Sequence, residues 1–396
     1  MCSTHNQKVD DLPTEPSRPR VLMVAGDKTF HREWIAAARV VADVVHLQFK
    51  PRLEWEPLIG NRMLGVDPSD PLRFEAARSR LPHNRLTRAL IDRLRARQIA
   101  DLIRHLSEQG RPVDLIHGHF YASCSPLPIL RRRLGIPYIV TEHSTKLAGN
   151  PYRSVSSIGE RRARRVYADA SSVVAVSDTL RRAIVDRNLA SQVEVIPNPI
   201  DVEVFRPQVR QKRMTSTIRC LNVGRMHPIK GQDTLLEAFA RASAQDPRLT
   251  LDVIGAGRES DRLEALQRRL GLAGKLRFLG GRDSTYIAEA LNDSDVFILS
   301  SRYETFGVPV AEALATGTPV VATAAGAVPE LVTDQEGRVV PVDDVEALAG
   351  AILEVSGRLT HYAPERIAAR AHERFGRPAV ADRLGALYQE AIGRAR

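Results

Sequence analysis

Two glutamates stand eight residues apart in the segment 300–312, on either side of the run Thr-Phe-Gly-Val-Pro-Val-Ala. Glu304 follows a predicted strand, and Glu312 lies about two turns into the helix predicted after it. Pro309 fits the first turn of that helix, where its missing N–H costs no hydrogen bond, and Gly307 lets a ligand approach the backbone closely. A helix start binds anions, while the flanking carboxylates accept hydrogen bonds from hydroxyl groups. The pattern therefore indicates a nucleotide-sugar site, with the diphosphate on the amides and the hydroxyls on the acids.

A second segment, residues 223–235, places two cations on the loop after another predicted strand. Arg225 and Lys230 lie five residues apart there. Fixed cations at such a place stabilise the negative charge that builds on a departing diphosphate, so the reaction needs no metal ion. Losing one preorganised donor of this kind typically raises a barrier by about 3 kcal/mol, roughly a hundredfold in rate. A basic loop is more often simply solvated, so this segment alone is a weak indication.

The elements that must position these segments alternate between short apolar runs and helical patterns, which predicts an α/β fold with parallel sheets. In the first half, the predicted strands cover residues 21–24, 44–49, 114–117, 138–141, 173–176 and 193–196. In the second half, they cover residues 219–223, 250–254, 276–279, 296–299 and 319–323. A long amphipathic helix is predicted over residues 85–109.

The length of 396 residues predicts two domains, because it exceeds one ordinary core. A proline-rich tract at residues 197–207 breaks the alternation and marks the boundary. We expect a disordered tail at residues 1–20, Rossmann-like doubly wound domains at 21–205 and 218–377, and a linker at 206–217. A final helix at residues 378–396 is expected to pack back on the first domain.

Ligands of parallel sheets bind beyond the carboxyl ends of the strands. Gly26, His119 and His143 follow predicted strands of the first half, as the cations and Glu304 follow strands of the second. Two such edges facing one another predict a ligand cleft between the domains.

Two other patterns are rejected as ligand sites. Asp293 and Asp295 resemble a divalent-metal pair, but they precede a strand and so lie at the wrong end of the sheet. Residues 255–257 read Gly-Ala-Gly without the third glycine of a dinucleotide fingerprint. We therefore expect no metal and no cofactor; a nucleotide sugar would be a substrate.

Composition and cysteine usage predict a globular cytoplasmic protein. The chain is 43% hydrophobic and 26% charged. Cys2, Cys124 and Cys220 form neither a ligand-spaced pair nor a disulfide framework. The first 20 residues lack the apolar core of a secretory signal, and no run of about 18 apolar residues occurs.

Most of the net charge of +10 lies in the first half. Residues 1–205 hold 31 Lys and Arg against 23 Asp and Glu, whereas residues 206–396 hold 26 against 24. The basic segment 85–109 suits either an anionic membrane or a solvated surface, and we favour the ordinary surface helix. Peripheral membrane contact is thus an open alternative, while the sparse aromatic residues among the charges argue against nucleic acid.

Together these segments resemble the large family of retaining glycosyltransferases with the GT-B fold, the family 4 type (glycosyl transferases group 1). The resemblance runs from about Val21 to Val340. It rests on the pair Glu304 and Glu312, the cations Arg225 and Lys230, the turn at residues 198–201, and the motif His117-Gly-His119.

The resemblance implies a hexosyltransferase whose first domain binds the acceptor and whose second binds the nucleotide sugar. It implies that Arg225 and Lys230 hold the diphosphate and assist its departure. Glu304 would hold donor-sugar hydroxyls and Glu312 the ribose. The backbone N–H groups of Phe306, Gly307 and Val308 would contact the donor, and His119 the transferred sugar. Anomeric configuration is retained in that family without a covalent sugar–enzyme intermediate.

The loop after the first strand departs from the family pattern, which is richer in glycine. Gly26 is its one glycine, so its donor contact is weakened, and Asp27, Lys28 and His31 have no assigned role. For His143, an acceptor-side role and a plain loop role are equally compatible with the sequence.

The sequence favours uridine over guanosine diphosphate sugars and, by a small margin, a small-molecule acceptor such as an antibiotic or other secondary metabolite. A lipid-linked or polysaccharide acceptor is the main alternative. A GT-B sugar-nucleotide epimerase or hydrolase, or a non-catalytic membrane-associated protein, are further alternatives that the intact acids and cations disfavour.

Overall fold

Two β-sheets organise the chain, one in each half. The computed structural model describes residues 18–25, 29–50, 63–67, 70–77, 87–150, 154–208 and 217–395. Most of the predicted tail, most of the predicted linker, and Gly26 with its two successors lie outside the described residues.

The first sheet has eight strands. They are β1 (Arg20–Val24), β2 (Asp43–Lys50), β3 (Met63–Asp67), β4 (Asp70–Ala77), β5 (Leu115–His119), β6 (Tyr138–Glu142), β7 (Ser172–Ala175) and β8 (Glu194–Val195). Their order is β3-β4-β2-β1-β5-β6-β7-β8, and only β3 and β4 pair antiparallel. The helices of this half are α1 (Thr29–Val41), α2 (Arg88–Glu108), α3 (Tyr121–Cys124), α4 (Leu127–Leu134), α5 (Ser157–Ala168) and α6 (Asp178–Asp186).

The second sheet has six parallel strands. They are β9 (Ile218–Val223), β10 (Leu249–Ile254), β11 (Leu276–Gly280), β12 (Val296–Leu299), β13 (Val320–Thr323) and β14 (Gly337–Val340). Their order is β11-β10-β9-β12-β13-β14. The helices are α7 (Gln232–Gln245), α8 (Ser260–Arg269), α9 (Ser284–Asn292), α10 (Val308–Ala315), α11 (Val345–Gly357), α12 (Pro364–Phe375) and α13 (Arg377–Gly393).

The predicted α/β class is confirmed, and every predicted strand is present. Three strands were missed: β3 and β4 at one edge of the first sheet, and β14 at one edge of the second. Two ends also need correction, because His119 is the last residue of β5 and Glu142 the last of β6, rather than residues that follow them. Both central strands are buried along their whole length, which explains their nearly continuous apolar character.

Helix α13 packs against α1, so the last helix lies on the first domain. The Tyr388 hydroxyl and His117 Nδ1 are 2.8 Å apart, and Arg377 forms ion pairs with both Glu33 and Asp201. The polypeptide therefore crosses from the second domain back to the first. In the described part of the chain, no helix is both long and apolar enough to cross a membrane.

Replacing Tyr388 with phenylalanine should lower the free energy of unfolding by about 1–3 kcal/mol, because His117 Nδ1 loses its buried partner while Nε2 keeps the Thr141 hydroxyl. Urea denaturation followed by circular dichroism would measure this loss. Tyr286→Phe is the matched control, since that ring is exposed on α9 and should lose little. Equal stability of both variants would show that the contact between α13 and the first sheet contributes nothing.

Candidate functional site

The second sheet reverses its direction of winding between β9 and β12. The chain runs outward through β10 and β11 on one side, then returns to place β12 beside β9. At such a switch point the loops beyond the carboxyl ends diverge and leave a crevice for a ligand. The β9–α7 loop carries Arg225 and Lys230, and the β12–α10 loop carries Glu304.

These two loops are in direct contact. Gly231 adopts a φ of 60°, and a Cβ there would lie 2.1 Å from the Ser300 carbonyl oxygen, so only glycine fits. The Arg302 N–H donates to the Ile229 carbonyl over 2.8 Å, and the Ser300 hydroxyl donates to the Lys230 carbonyl over 3.0 Å. The backbone thus fixes the distance between the cationic loop and the acidic one.

An ion pair joins the two loops at the crevice. Lys230 Nζ lies 2.6 Å from Glu304 Oε1, and the Ser301 hydroxyl donates to the same oxygen over 2.7 Å. Both charged side chains are mostly buried, with 18% and 12% of their surfaces exposed. Arg225 is exposed, and among the described residues its guanidinium has no hydrogen bond or ion pair. Lys230 is therefore already paired with Glu304, whereas Arg225 is available to an anionic ligand.

Helix α10 begins beside this ion pair without a side chain that caps it. Gly307 holds the cap position with a φ of 103°, and Pro309 lies in the first turn as predicted. Phe306 is buried, edge-on against Phe375 with ring centroids 5.6 Å apart. The backbone of residues 306–308 is thus rigid, and the positive end of the helix is open to an anion.

Glu312 lies apart from the ion pair. It lines a cavity of about 80 Å³ together with Glu33, Val308 and residues 199–201, which lie at the predicted boundary between the domains. Burial and the nearby Glu33 carboxylate raise the pKa of Glu312 to about 8. The glutamate is therefore protonated at neutral pH and can donate as well as accept a hydrogen bond.

The first sheet has its own switch point, between β1 and β5, and three buried histidines gather there. His119 ends β5, His143 follows β6, and His31 lies in the first turn of α1. We call His31, His119 and His143 the histidine cluster. His119 Nδ1 lies 2.9 Å from His143 Nε2. Burial first, and then neighbouring histidines, lower the pKa of His119 well below its usual range, so its ring is neutral.

Glu142 anchors the loop that carries His143. Its carboxylate accepts hydrogen bonds from the backbone N–H groups of Tyr121, His143 and Ser144 at 2.8–3.0 Å and from the Tyr167 hydroxyl at 2.7 Å. Burial raises the pKa of Glu142, and these hydrogen bonds partly offset the effect. With both oxygens engaged, this carboxylate is a structural group rather than a nucleophile.

The β12–α10 loop also touches the first domain. The Tyr303 hydroxyl donates to the Ala148 carbonyl, and the Ser177 hydroxyl donates to the Thr305 carbonyl over 2.7 Å. Both contacts flank Glu304 in sequence, so the first domain helps to position the acidic loop.

A second contact across the cleft lies at the start of α6. The Glu330 carboxylate accepts from the Asp178 N–H over 2.8 Å and from the Thr179 N–H over 2.7 Å, and the Thr179 hydroxyl adds a third bond of 2.6 Å. A negative charge is favourable at a helix N-terminus. The second domain thus caps a helix of the first.

The structure brings together some of the predicted residues and separates others. Lys230 contacts Glu304, and His119 contacts His143. Glu312 instead faces the segment at the boundary between the two domains. Gly26 lies outside the described residues. Asp295 accepts the Arg219 N–H at the amino end of β12, the end of the sheet predicted for it.

Two residues of the site were missed by sequence reasoning, Glu33 and Glu330, and His31 was named without a role. His31 ends the segment 25–31 that departs from the family pattern, and that departure was the available signal; Glu33 lies two residues beyond it. Glu330 had no comparable signal, because its partners are backbone N–H groups of a distant helix.

Comparisons with known proteins agree with one another. The family model described as Glycosyl transferases group 1 matches residues 207–358, and Glycosyltransferase Family 4 matches residues 63–204. A D-inositol 3-phosphate glycosyltransferase of Geodermatophilus obscurus is 35% identical over 62% of this chain and 60% of that protein. The protein of the same name from Saccharomonospora viridis is 31% identical over 70% of each chain.

Solved structures show the same fold. Sucrose-phosphate synthase from Thermosynechococcus elongatus superposes with a TM-score of 0.74 at 21% identity, covering 95% of this chain and all of that one. Anabaena HepE in complex with UDP and glucose gives a TM-score of 0.72 at 20% identity, covering 93% and 99%. At such identities the likeness establishes the architecture of two facing domains.

The pKa of Glu312 predicts a pH-dependent stability. Between its ordinary pKa of 4.5 and about 8, the folded protein holds a proton that the unfolded chain has lost. The proton on Glu312 therefore stabilises the folded protein at low pH. This contribution to the free energy of unfolding falls by at most about 1.4 kcal/mol per pH unit and is lost as the pH rises through 8. Glu312→Gln imitates the protonated acid, so it should match the native protein at pH 5 and exceed its stability at pH 8.

Denaturant unfolding of both proteins from pH 5 to pH 8 would measure this difference. Glu289→Gln, at an exposed position on α9, is the matched control and should keep the native pH dependence. Parallel profiles for Glu312→Gln and the native protein would contradict the assignment.

Proposed function

Because the chain belongs to the group 1 glycosyltransferases, we propose that it transfers a sugar from a nucleotide diphosphate sugar to a hydroxyl group, with retention of anomeric configuration. The observation that carries this proposal is the Lys230–Glu304 ion pair at the switch point, with Arg225 on the same β9–α7 loop as Lys230. An acid and two cations between facing domains suit a ligand that combines hydroxyl groups with a diphosphate.

Donor binding rearranges the ion pair in this proposal. The diphosphate takes the place of Glu304 as the partner of Lys230, and it also binds Arg225 and the open start of α10. Glu304 then accepts hydrogen bonds from the sugar hydroxyls, with the Ser301 hydroxyl still holding one of its oxygens. Glu312 binds the ribose. Lys230 and Glu304 thus each have a partner both with and without the donor, so neither is left buried and unpaired.

In the transfer step the bond between the anomeric carbon and the phosphate oxygen breaks, and its electron pair leaves with the diphosphate. The acceptor oxygen bonds to the anomeric carbon from the same face, and its proton passes to the departing phosphate oxygen. Arg225 and Lys230 stabilise the charge that develops there. The proposal needs neither a metal nor a cofactor, and it needs no carboxylate nucleophile from the first domain.

For the donor we favour a uridine diphosphate sugar. For the acceptor we favour a small soluble molecule, of the kind met in antibiotic and other secondary-metabolite glycosylation. The relatives named for D-inositol 3-phosphate support a small acceptor, since that compound is a phosphorylated cyclic polyol. The buried, isolated thiols of Cys124 and Cys220 suit a reducing cytoplasm.

The membrane alternative has less support. The apolar residues of α2 that gave the segment its amphipathic pattern, among them Ile99, Leu102 and Leu106, are buried in the core. Packing in the core therefore accounts for the pattern, and Arg93, Arg97 and Arg104 are exposed to solvent. An epimerase or hydrolase would act on the nucleotide sugar without any acceptor, so the assay below separates it from a transferase.

Arg225→Ala and Lys230→Ala should each lower kcat about a hundredfold, because each removes a cation from the leaving group. Initial rates of nucleotide diphosphate release would be measured with uridine and guanosine diphosphate sugars, with and without candidate acceptors that include inositol phosphates. Arg268→Ala, at an exposed position on α8, is the matched control and should keep full activity. Full turnover in both site variants would contradict the proposal.

The product of the native protein decides the stereochemistry. Proton NMR of the isolated glycoside should show the anomeric configuration of the donor. An inverted product would contradict retention, and release that does not depend on any acceptor would favour the epimerase or hydrolase.

A further inference from the structure

The histidine cluster has the composition and the spacing of a metal site. One ring nitrogen from each of His31, His119 and His143 lies within 4.8 Å of one from each of the others. Within the described part of the chain, this is the one group of three such ligand residues that meets that distance.

The ring positions match three imidazoles around one ion. At a metal–nitrogen distance of about 2.05 Å, three tetrahedral ligands have nitrogens about 3.3 Å apart and ring centres roughly 5 Å apart. The observed centroid separations are 5.2 Å for His31 and His119, 5.2 Å for His119 and His143, and 5.8 Å for His31 and His143. The rings therefore need only small movements to share an ion.

The surroundings favour ligation. The three side chains are 2%, 1% and 8% exposed, so a bound ion would be shielded from bulk water. Glu142, directly before His143, is also buried. Its carboxylate accepts the His143 N–H over 3.0 Å and so holds the backbone of one ligand in place.

We propose that His31, His119 and His143 bind one divalent transition-metal ion of the zinc class, and that the bound ion blocks sugar transfer. Three neutral imidazoles suit Zn²⁺, Co²⁺, Ni²⁺ or Cu²⁺, whereas Mg²⁺ and Ca²⁺ prefer oxygen ligands. A water molecule completes the four-coordinate site.

Binding replaces the hydrogen bond between His119 and His143. Their nitrogens move from 2.9 Å to about 3.3 Å apart, and both lone pairs bond to the metal. Each neutral ring then carries its hydrogen on the other nitrogen, so no proton is lost.

The inhibitory half of the proposal rests on the proposed function. The family resemblance implies that His119 contacts the transferred sugar, and a ring nitrogen bound to a metal no longer hydrogen-bonds a sugar hydroxyl. The ion and its water also occupy space at the edge of the first sheet that faces the donor. Metal binding itself does not depend on the protein being a transferase.

The test uses the full chain, purified without a histidine tag and treated with EDTA. Isothermal titration with Zn²⁺ should give one site per chain, and Co²⁺ should give the visible absorption of a four-coordinate nitrogen site. Zn²⁺ should also raise the melting temperature, because it binds the folded state. Mg²⁺ should do none of these. The absence of saturable one-to-one binding by the native protein would overturn the proposal without recourse to any variant.

His31→Phe keeps an aromatic ring beside Phe120 and removes one ligand. Its affinity for Zn²⁺ should fall at least about 100-fold, because losing even an outer partner of a ligand typically costs 10–100-fold. His105→Gln, at an exposed position on α2, is the control and should bind like the native protein. Native affinity in His31→Phe would overturn the assignment of ligands, and His143→Asn gives a second test if His31→Phe does not fold.

The transfer assay tests the consequence. Zn²⁺ should inhibit the native protein at the concentration that fills the titrated site, and EDTA should restore the rate. Whatever activity His31→Phe retains should lose this sensitivity. One-to-one binding that requires His31 but leaves transfer unaffected would overturn the inhibitory half, and a protein inactive with every donor would refute the proposed function while the binding result stands.

Discussion

The close approach of two loops at the switch point of the second sheet sets the geometry of the whole site. Gly231 lies so near the Ser300 carbonyl that any side chain would separate the loops. Because the backbones touch, Lys230 and Glu304 form their ion pair with little freedom to choose other partners. An ion pair between long side chains usually contributes little stability, because ordering the side chains costs conformational entropy. Here the contact between the two backbones already restricts where the side chains can lie, so this loss of entropy is smaller. The site is therefore prepared before a ligand arrives.

The switch point of the first sheet holds a different set of polar residues from that of the second sheet. Three imidazoles and a carboxylate are buried at the ends of β5 and β6 and at the start of α1. The carboxylate of Glu142 is satisfied by four donors, while the histidines remain neutral through desolvation. Polar groups inside a sheet domain cost stability unless they are paired, so these histidines are expected to lower the stability of the first domain.

Sequence reasoning reached the architecture of the two sheets but not the contacts within the site. Most of the strands it found, such as β1, β5 and β9, lie inside the sheets, where burial on both faces leaves an apolar run. It missed β3, β4 and β14, whose apolar runs are short. It placed Lys230 and Glu304 at the same edge of the second sheet, because both follow parallel strands, but it did not predict the ion pair between them. The positions of Glu312 and His31 in the structure depend on the angle between the domains and on contacts between segments that are distant in sequence. The spacing of residues within one segment determines neither of these.

The position of α13 affects the order in which the two domains complete their folding. This helix is made last of the elements described, yet it covers α1 and pairs Tyr388 with His117 inside the first sheet. On the ribosome the first domain therefore emerges early but keeps an open apolar flank until residues 377–393 have been synthesised. The half of the molecule that carries the histidine cluster is consequently the half that is completed last.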